Sequence, residues 1–263
     1  MRLKIHHIDA FTETLFTGNY AAVIITEEWL PDQLMQSIAT ENNLSETAFA
    51  RRCGSNSYEI RWFSPLTEID FCGHATLAAA FVLFNQDRSI DELLFSAKAV
   101  GHLKVRRAAE GYIEMTFPMR KPEPITHIPR ELTKGLSIPP TEVLLSQQAY
   151  FVIYPHEKDV LAVRVVRDEL MKLAPLDVVV TAQAKKYDFI SRYFWPANGS
   201  DEDPVTGSIH AGLAPLWAQK LGKKRLTAYQ ASQRGGILRC MVLDSQVIIS
   251  GQAVQYLEGY IDV

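Results

Sequence analysis

Hydrophobic and polar positions along the chain change period several times, and each change predicts an element. Leu3, Ile5 and His7 alternate with Lys4, His6 and Ile8, the pattern of a strand. Thr17-Gly18-Asn19 then supplies a turn, and Ala21-Ala22-Val23-Ile24-Ile25 reads as a buried strand. Pro31-Asp32 opens a helix with Leu34, Met35, Ile38 and Ala39 on one face, since proline with an acid beside it suits a first helical turn. Tyr58 to Phe63 is a strand by β propensity, stopped by Ser64-Pro65. The run His74 to Asn85 is apolar all round, which marks a helix enclosed on every side.

Short alternating strands follow at Gly101–Val105 and Tyr112–Phe117. Prolines 118, 122, 124 and 129 make the intervening stretch the best linker candidate. Beyond it, Tyr150–Ile153, Val160–Val163 and Val178–Thr181 read as strands. Ala211–Leu221 reads as a second helix, with Lys220, Lys223 and Lys224 at its C-terminal end, where cations suit the dipole. Ile237–Val242 and Gln246–Ser250 add two more strands.

The pattern also repeats. Arg61-Trp-Phe-Ser-Pro65 and Arg192-Tyr-Phe-Trp-Pro196 share Arg-aromatic-Phe-x-Pro at an offset of 131 residues, half of a 263-residue chain. After each proline come acids (Glu68 and Asp70; Asp201, Glu202 and Asp203), a small-residue turn and an apolar helix. Coincidence between two strand-turn-helix units is the plain alternative, but the matching order of elements favours duplication. It predicts two domains, 1–118 and 119–263, with the last strand able to return to the first.

Composition narrows the classes. Twenty-seven Lys and Arg against 30 Asp and Glu leave a net charge of −3, without the basic excess that holds a phosphate backbone, so nucleic acid is not an expected partner. No signal peptide and no apolar run of membrane-spanning length are visible. Three scattered cysteines, Cys53, Cys72 and Cys240, fit reduced thiols in a cytoplasmic setting.

Two halves, each delivering a helix N-terminus through a small-residue turn, suggest a cleft in which unpaired N–H groups hold a small carboxylate. Glu46 follows the first surface helix among small and apolar neighbours, a setting that disfavours ionisation and suits a general acid or base. The residues alone equally admit Ser45 capping a turn beside a solvated Glu46. Asp203 precedes Pro204 and is a candidate acid, or simply the cap of the next helix. His74 is a candidate donor to a substrate carboxylate, or a helix-start histidine bonded to backbone. Cys72 at a helix start would have its thiol pKa lowered, but no second cysteine stands in the matching region. Asp201 and Asp203 with histidines would serve a metal-assisted hydrolase, though neither an EF-hand nor a zinc spacing occurs. No GxGxxG or P-loop supports a nucleotide cofactor.

Asp9-Ala-Phe11, Phe16-Thr-Gly-Asn19, Asn43-Leu-Ser-Glu-Thr-Ala-Phe49, Cys72-Gly-His-Ala-Thr76, Glu202-Asp-Pro-Val-Thr-Gly-Ser208 and Gly251-Gln-Ala-Val254 stand in order along nearly the whole chain. Together they resemble the PhzF-like isomerase family, named for phenazine biosynthesis and similar in fold to diaminopimelate epimerase. The resemblance implies an α+β fold of two pseudo-symmetric domains, each a curved β-barrel around a central α-helix, with the site in the cleft. It implies an isomerase or epimerase that moves a proton on a small carboxylate substrate without a cofactor or metal. Glu46 is then the general acid/base, with Asp203 and His74 assisting. Asn19, Ser45, Gly73, His74, Gly207 and Ser208 line the substrate site. A homodimer is also implied. A ligand-binding protein that has lost turnover is the other alternative. Tyr20 stands where the family usually has proline, and the segment between Leu170 and Val178 looks shorter than usual.

Overall fold

A computed structural model describes residues 1–198 and 200–263 of the chain. They divide into two compact units, Met1–Thr116 with Ser250–Val263, and Phe117–Ile249.

Unit 1 begins with β1 (Arg2–Ala10), β2 (Asn19–Thr26), α1 (Asp32–Asn42), β3 (Glu46–Arg52), β4 (Ser57–Phe63) and the two-residue β5 (Glu68–Ile69). It continues through α2 (Gly73–Gln86), β6 (Glu92–Ala97), β7 (Gly101–Arg107) and β8 (Ile113–Pro118). β1 is antiparallel to β2, β2 parallel to β3, and β3 antiparallel to β4. β4 then pairs with β5 antiparallel and with β6 in parallel, while β6–β7 and β7–β8 are antiparallel. α2 packs against β1, β2 and β3 near one end of this series and against β7 near the other, so the curved sheet wraps around it. That enclosure explains why Ala75, Leu77, Ala78, Ala79, Ala80, Val82, Leu83 and Phe84 are all buried. Alternation within the strands serves two layers. Ala22 and Ile24 of β2 join Met35, Ile38 and Ala39 of α1 in a core outside the barrel.

Unit 2 comprises β9 (Glu123–Pro124), α3 (Arg130–Gly135), β10 (Glu142–Leu145), β11 (Ala149–Ile153), α4 (Glu157–Ala162), α5 (Arg167–Leu170) and β12 (Asp177–Gln183). There follow β13 (Phe189–Trp195), β14 (Ser200–Asp203), α6 (His210–Leu221), β15 (Arg225–Gln230), β16 (Gly236–Val242) and β17 (Gln246–Gly251). Its pairing repeats that of unit 1. β10–β11 is antiparallel, β11–β12 parallel and β12–β13 antiparallel. β13 takes the short β14 antiparallel and β15 in parallel, and β15–β16 is antiparallel. α6 is the enclosed helix: Trp217 stacks on Phe189 of β13 and donates Nε1–H to Thr181 Oγ1 of β12 at 3.0 Å. The chain then returns to unit 1, where β18 (Ala253–Asp262) lies antiparallel along the whole of β1.

The repeated arginine now has a physical reason. Arg61 grips Glu68 of β5 through two hydrogen bonds of 2.7 and 2.6 Å, and Arg192 grips Glu202 of β14 through two of 2.8 Å. Each guanidinium also covers the phenylalanine two residues on, Phe63 at 5.2 Å and Phe194 at 5.0 Å. The planar fork of arginine fits a carboxylate in two places, which a lysine cannot do. Each grip fixes the short strand that precedes an enclosed helix.

Two expectations change. Val160–Val163 does not continue as a strand: Glu157–Ala162 is a helix, with Glu157 and Asp159 in its first turn and Val160 as its inward residue. Acids at a helix start favour that turn over a strand whose apolar run is four residues long. The proline-rich stretch is not a loose linker, because β9 pairs with β10 and Arg120 N–H donates to Ala211 O at 3.0 Å.

Candidate active site

The chemistry of unit 1 gathers where β2, β3 and α2 begin. Asn43 ends α1 in the left-handed conformation (φ 48°), its N–H bonded to Ala39 O, and three residues later the chain enters β3 at Glu46. Asparagine tolerates that conformation and so makes a natural stop for the helix. Glu46 pairs in register with Ala21 of parallel β2 and is almost wholly buried, at 1% exposure. Asn19 opens β2 after a loop with positive φ at Phe11, Phe16 and Gly18. The Asp9 carboxylate holds that loop by accepting from Phe16 N–H at 2.8 Å. At Gly18 a side chain is impossible, since a Cβ would stand 2.2 Å from Ala10 O.

His74, in the first turn of α2, joins these residues. Its Nε2 lies 2.9 Å from Glu46 Oε2, and its Nδ1 lies 3.0 Å from Asn19 Nδ2 and 3.4 Å from Cys72 Sγ. The Glu46 oxygen has no aligned hydrogen-bond donor among the described residues. Burial alone would push the pKa of His74 down; the neighbouring Cys72 and Glu46 outweigh it and hold His74 well above its usual value. Burial pushes the Cys72 thiol up to about 11, with Glu46 adding to the shift. This corrects the expectation of a lowered thiol pKa: desolvation of a fully enclosed sulfur exceeds the help from the helix end. The Glu46 carboxylate beside the ring is one of the groups that hold His74 above its usual value. Gly73 is the first residue of α2 and Ser45 is the half-buried neighbour of Glu46.

Unit 2 holds a second polar group before α6. Asp203, at the end of β14, is 5% exposed and accepts a hydrogen bond from Thr206 Oγ1. Gln230 of β15 ties the turn together: its Nε2 donates to Asp203 O at 2.9 Å, and its Oε1 accepts from Thr206 N–H at 2.9 Å. Asp203 therefore does cap a turn, through its side chain. Gly207 and Ser208 lie in the turn that enters α6. Ser208 Oγ accepts from Gln148 Nε2 at 2.9 Å. Asp201 faces Arg167 at 3.2 Å and Glu202 faces Arg192, so the three acids do not converge. Among the described residues, the three side chains able to share a metal are Glu46, Cys72 and His74, with ligand atoms within 4.8 Å of one another. The metal-hydrolase alternative built on Asp201, Asp203 and histidines loses its ligand set.

Thr206, Gln230, Gln148, Tyr193 and Asp177 belong to this polar network; Thr206 lies in the Glu202–Ser208 motif and Tyr193 in the arginine-aromatic repeat, yet nothing in the sequence marks any of the five as a site residue. Only the 131-residue offset, applied to Glu46, would have pointed to Asp177.

Comparison with known proteins gives the class. A family model described as phenazine biosynthesis-like protein, PhzC-PhzF, matches residues 8–259. An uncharacterised isomerase of Pseudomonas aeruginosa is 45% identical over 260 residues, covering 98% of each chain. One from Halalkalibacterium halodurans is 40% identical over 263 residues, with 98% of each chain covered. A crystal structure of a phenazine biosynthesis protein of the PhzF family from Enterococcus faecalis superposes with a TM-score of 0.94 at 42% identity, over 100% of both chains. The chain is an isomerase with the diaminopimelate epimerase-like α+β fold. It belongs to the phenazine biosynthesis-like, PhzC-PhzF family. No helix among the described residues is long and apolar enough to cross a membrane.

Proposed function

We propose that this isomerase moves a proton between two positions of a small carboxylate-bearing substrate without a cofactor, as an epimerase or a double-bond isomerase. Glu46 is the general acid/base. The observation that carries the reading is the Glu46 carboxylate, 1% exposed and 2.9 Å from His74. An acceptor of this kind, shielded from water, can take a proton from a carbon activated by an adjacent carboxylate. The C–H electron pair stays on the substrate and shifts into its conjugated system. Glu46 then returns the proton to another carbon, or to the other face of the same one. The cationic tendency of His74 supports this cycle, because it offsets negative charge wherever that charge sits. Asn19, Ser45, Gly73 and His74 are proposed substrate contacts, as are Asp203, Gly207 and Ser208.

The test incubates the protein in D₂O with a panel of amino acids and cyclic dienoic acids and follows deuterium entry into carbon by NMR. Wash-in that falls at least ~10²-fold in Glu46→Gln, with folding intact, is the expected outcome. Absence of wash-in for every acid, together with measurable binding, would instead identify a small-acid-binding protein. A bound divalent metal needed for wash-in would place Glu46, Cys72 and His74 as ligands and overturn the acid/base assignment.

A further inference from the structure

Glu46 has a counterpart in unit 2. It opens β3, which is parallel to β2; at the same 131-residue offset Asp177 opens β12, which is parallel to β11 and pairs there with Ala149. Asp177 faces Tyr193 where Glu46 faces His74. Its Oδ2 accepts from Tyr193 O–H at 2.6 Å; Tyr193 Oη in turn accepts from Gln148 Nε2 at 3.1 Å, and the same amide donates to Ser208 Oγ at 2.9 Å.

The direction of this chain of hydrogen bonds is set at one end. An ionised carboxylate only accepts, so Tyr193 must donate to Asp177 and its oxygen is left to accept. Gln148 must then present its NH₂, and both hydrogens are used, one on Tyr193 and one on Ser208. Ser208 Oγ is an acceptor from Gln148, which leaves its own hydrogen to donate. That hydrogen remains for an anion.

We propose that Asp177 is a positioning residue which, through Tyr193 and Gln148, fixes Ser208 as a hydrogen-bond donor to a carboxylate ligand. The proposal deepens the functional reading above and rests on its placing of Ser208 in the substrate site. Protonation of Asp177 removes the constraint, because a carboxylic acid can donate to Tyr193 and allow the order to reverse. Burial raises the pKa of Asp177; the Tyr193 hydrogen bond opposes this, Asp203 adds to it, and the result is about 6. Asp203 of β14 acts electrostatically on Asp177 and raises its pKa, while Tyr193, Gln148 and Ser208 are neutral members of the chain of hydrogen bonds.

The experiment titrates the full-length chain with benzoate, reading the backbone amide of position 208 by NMR between pH 5 and 8, in wild type, Asp177→Asn, Tyr193→Phe, Ser208→Ala and Asp177→Asn/Ser208→Ala. A lost hydrogen bond to a charged group predicts about 10-fold weaker binding in each single variant. The double variant is expected to bind no more weakly than Ser208→Ala, because both substitutions remove the same donor. Wild-type affinity is expected to fall as the pH drops through 6, and that dependence should vanish in Asp177→Asn. Additive losses, a pH dependence that survives in Asp177→Asn, or no benzoate-induced shift at Ser208 in wild type would each overturn the proposal. Tyr193→Phe breaks the chain without altering a charge and serves if Asp177→Asn is poorly folded. Should Glu46→Gln retain deuterium wash-in while these binding results hold, the acid/base assignment fails and the role of Asp177 stands.

Discussion

His210 places a titratable ring inside the core of unit 2, and its effect on stability can be worked through. The ring is 0% exposed, lies 5.9 Å from the Phe189 ring, and bonds Thr206 O through Nδ1 at 2.9 Å. Nε2 has no partner among the described residues. Burial drives the pKa down to about 4 from 6.5, the Thr206 carbonyl opposing only in part. Between those values the unfolded chain binds a proton that the folded chain refuses, so stability falls as the pH falls. At 1.36 kcal/mol per tenfold change, acidification from pH 7 to pH 4 removes about 3 kcal/mol through this residue. The comparison is urea unfolding of wild type and His210→Asn across that range. Asparagine retains a donor for Thr206 O but does not titrate. At pH 7 the variant is expected to be less stable, since loss of the buried ring leaves a void. At pH 4 the gap should close or reverse by about 3 kcal/mol. Asp177 and His74, whose pKa values are raised, affect both proteins alike and cancel in the difference. Parallel pH profiles for the two proteins would refute the reasoning.

Other expectations concern the two turns and the two arginine grips. Asp203→Asn should reduce deuterium wash-in less than Glu46→Gln does; the reverse order, measured at saturating substrate, would move the main proton transfer to Asp203. Arg192→Met should cost more stability in urea than Arg61→Met, because Arg192 and Glu202 are 18% and 23% exposed and Arg192 also serves Val163 O at 2.8 Å, whereas Asp32, one partner of Arg61, is 79% exposed. The expected losses are roughly 2 kcal/mol or more against about 1 or less. Gly212→Ala should destabilise by about 1–3 kcal/mol despite the helix preference of alanine, since a Cβ would stand 2.7 Å from Phe151 Cζ and 2.9 Å from Arg120 O. A thermal melt at or above wild type would contradict that packing.

Much of this architecture was legible where a pattern is long or repeated. The all-apolar run after Gly73 could only be an enclosed helix, and the Arg-aromatic-Phe-x-Pro repeat announced a second copy of the same topology. Short elements were harder to read. Val160–Val163 has β-branched residues, and only the acids before it decide for a helix. β9 has two residues and owes its existence to β10 rather than to its own composition. In the candidate site, Glu46, His74 and Asn19 came into view through ordered motifs. Gln148, Tyr193 and Gln230 did not, because a polar residue within a strand carries no local sign of whether it faces water or a partner. The fate of Cys72 depended on enclosure, which a helix-start position in the sequence cannot convey.

The antiparallel match of β18 to β1 has a consequence for how the molecule is made. β1 leaves the ribosome before unit 2, but the strand that covers its full length is synthesised only after all of unit 2. Phe117–Ile249 forms one uninterrupted span and is complete while unit 1 still lacks an edge. The downstream half is therefore positioned to fold first, and the upstream half, with Glu46 and His74, waits on a distant strand whose closure carries a large loop-entropy cost. In a nascent chain, protection of unit 2 from protease should precede protection of β1, reversing the usual order of amino-terminal domains first.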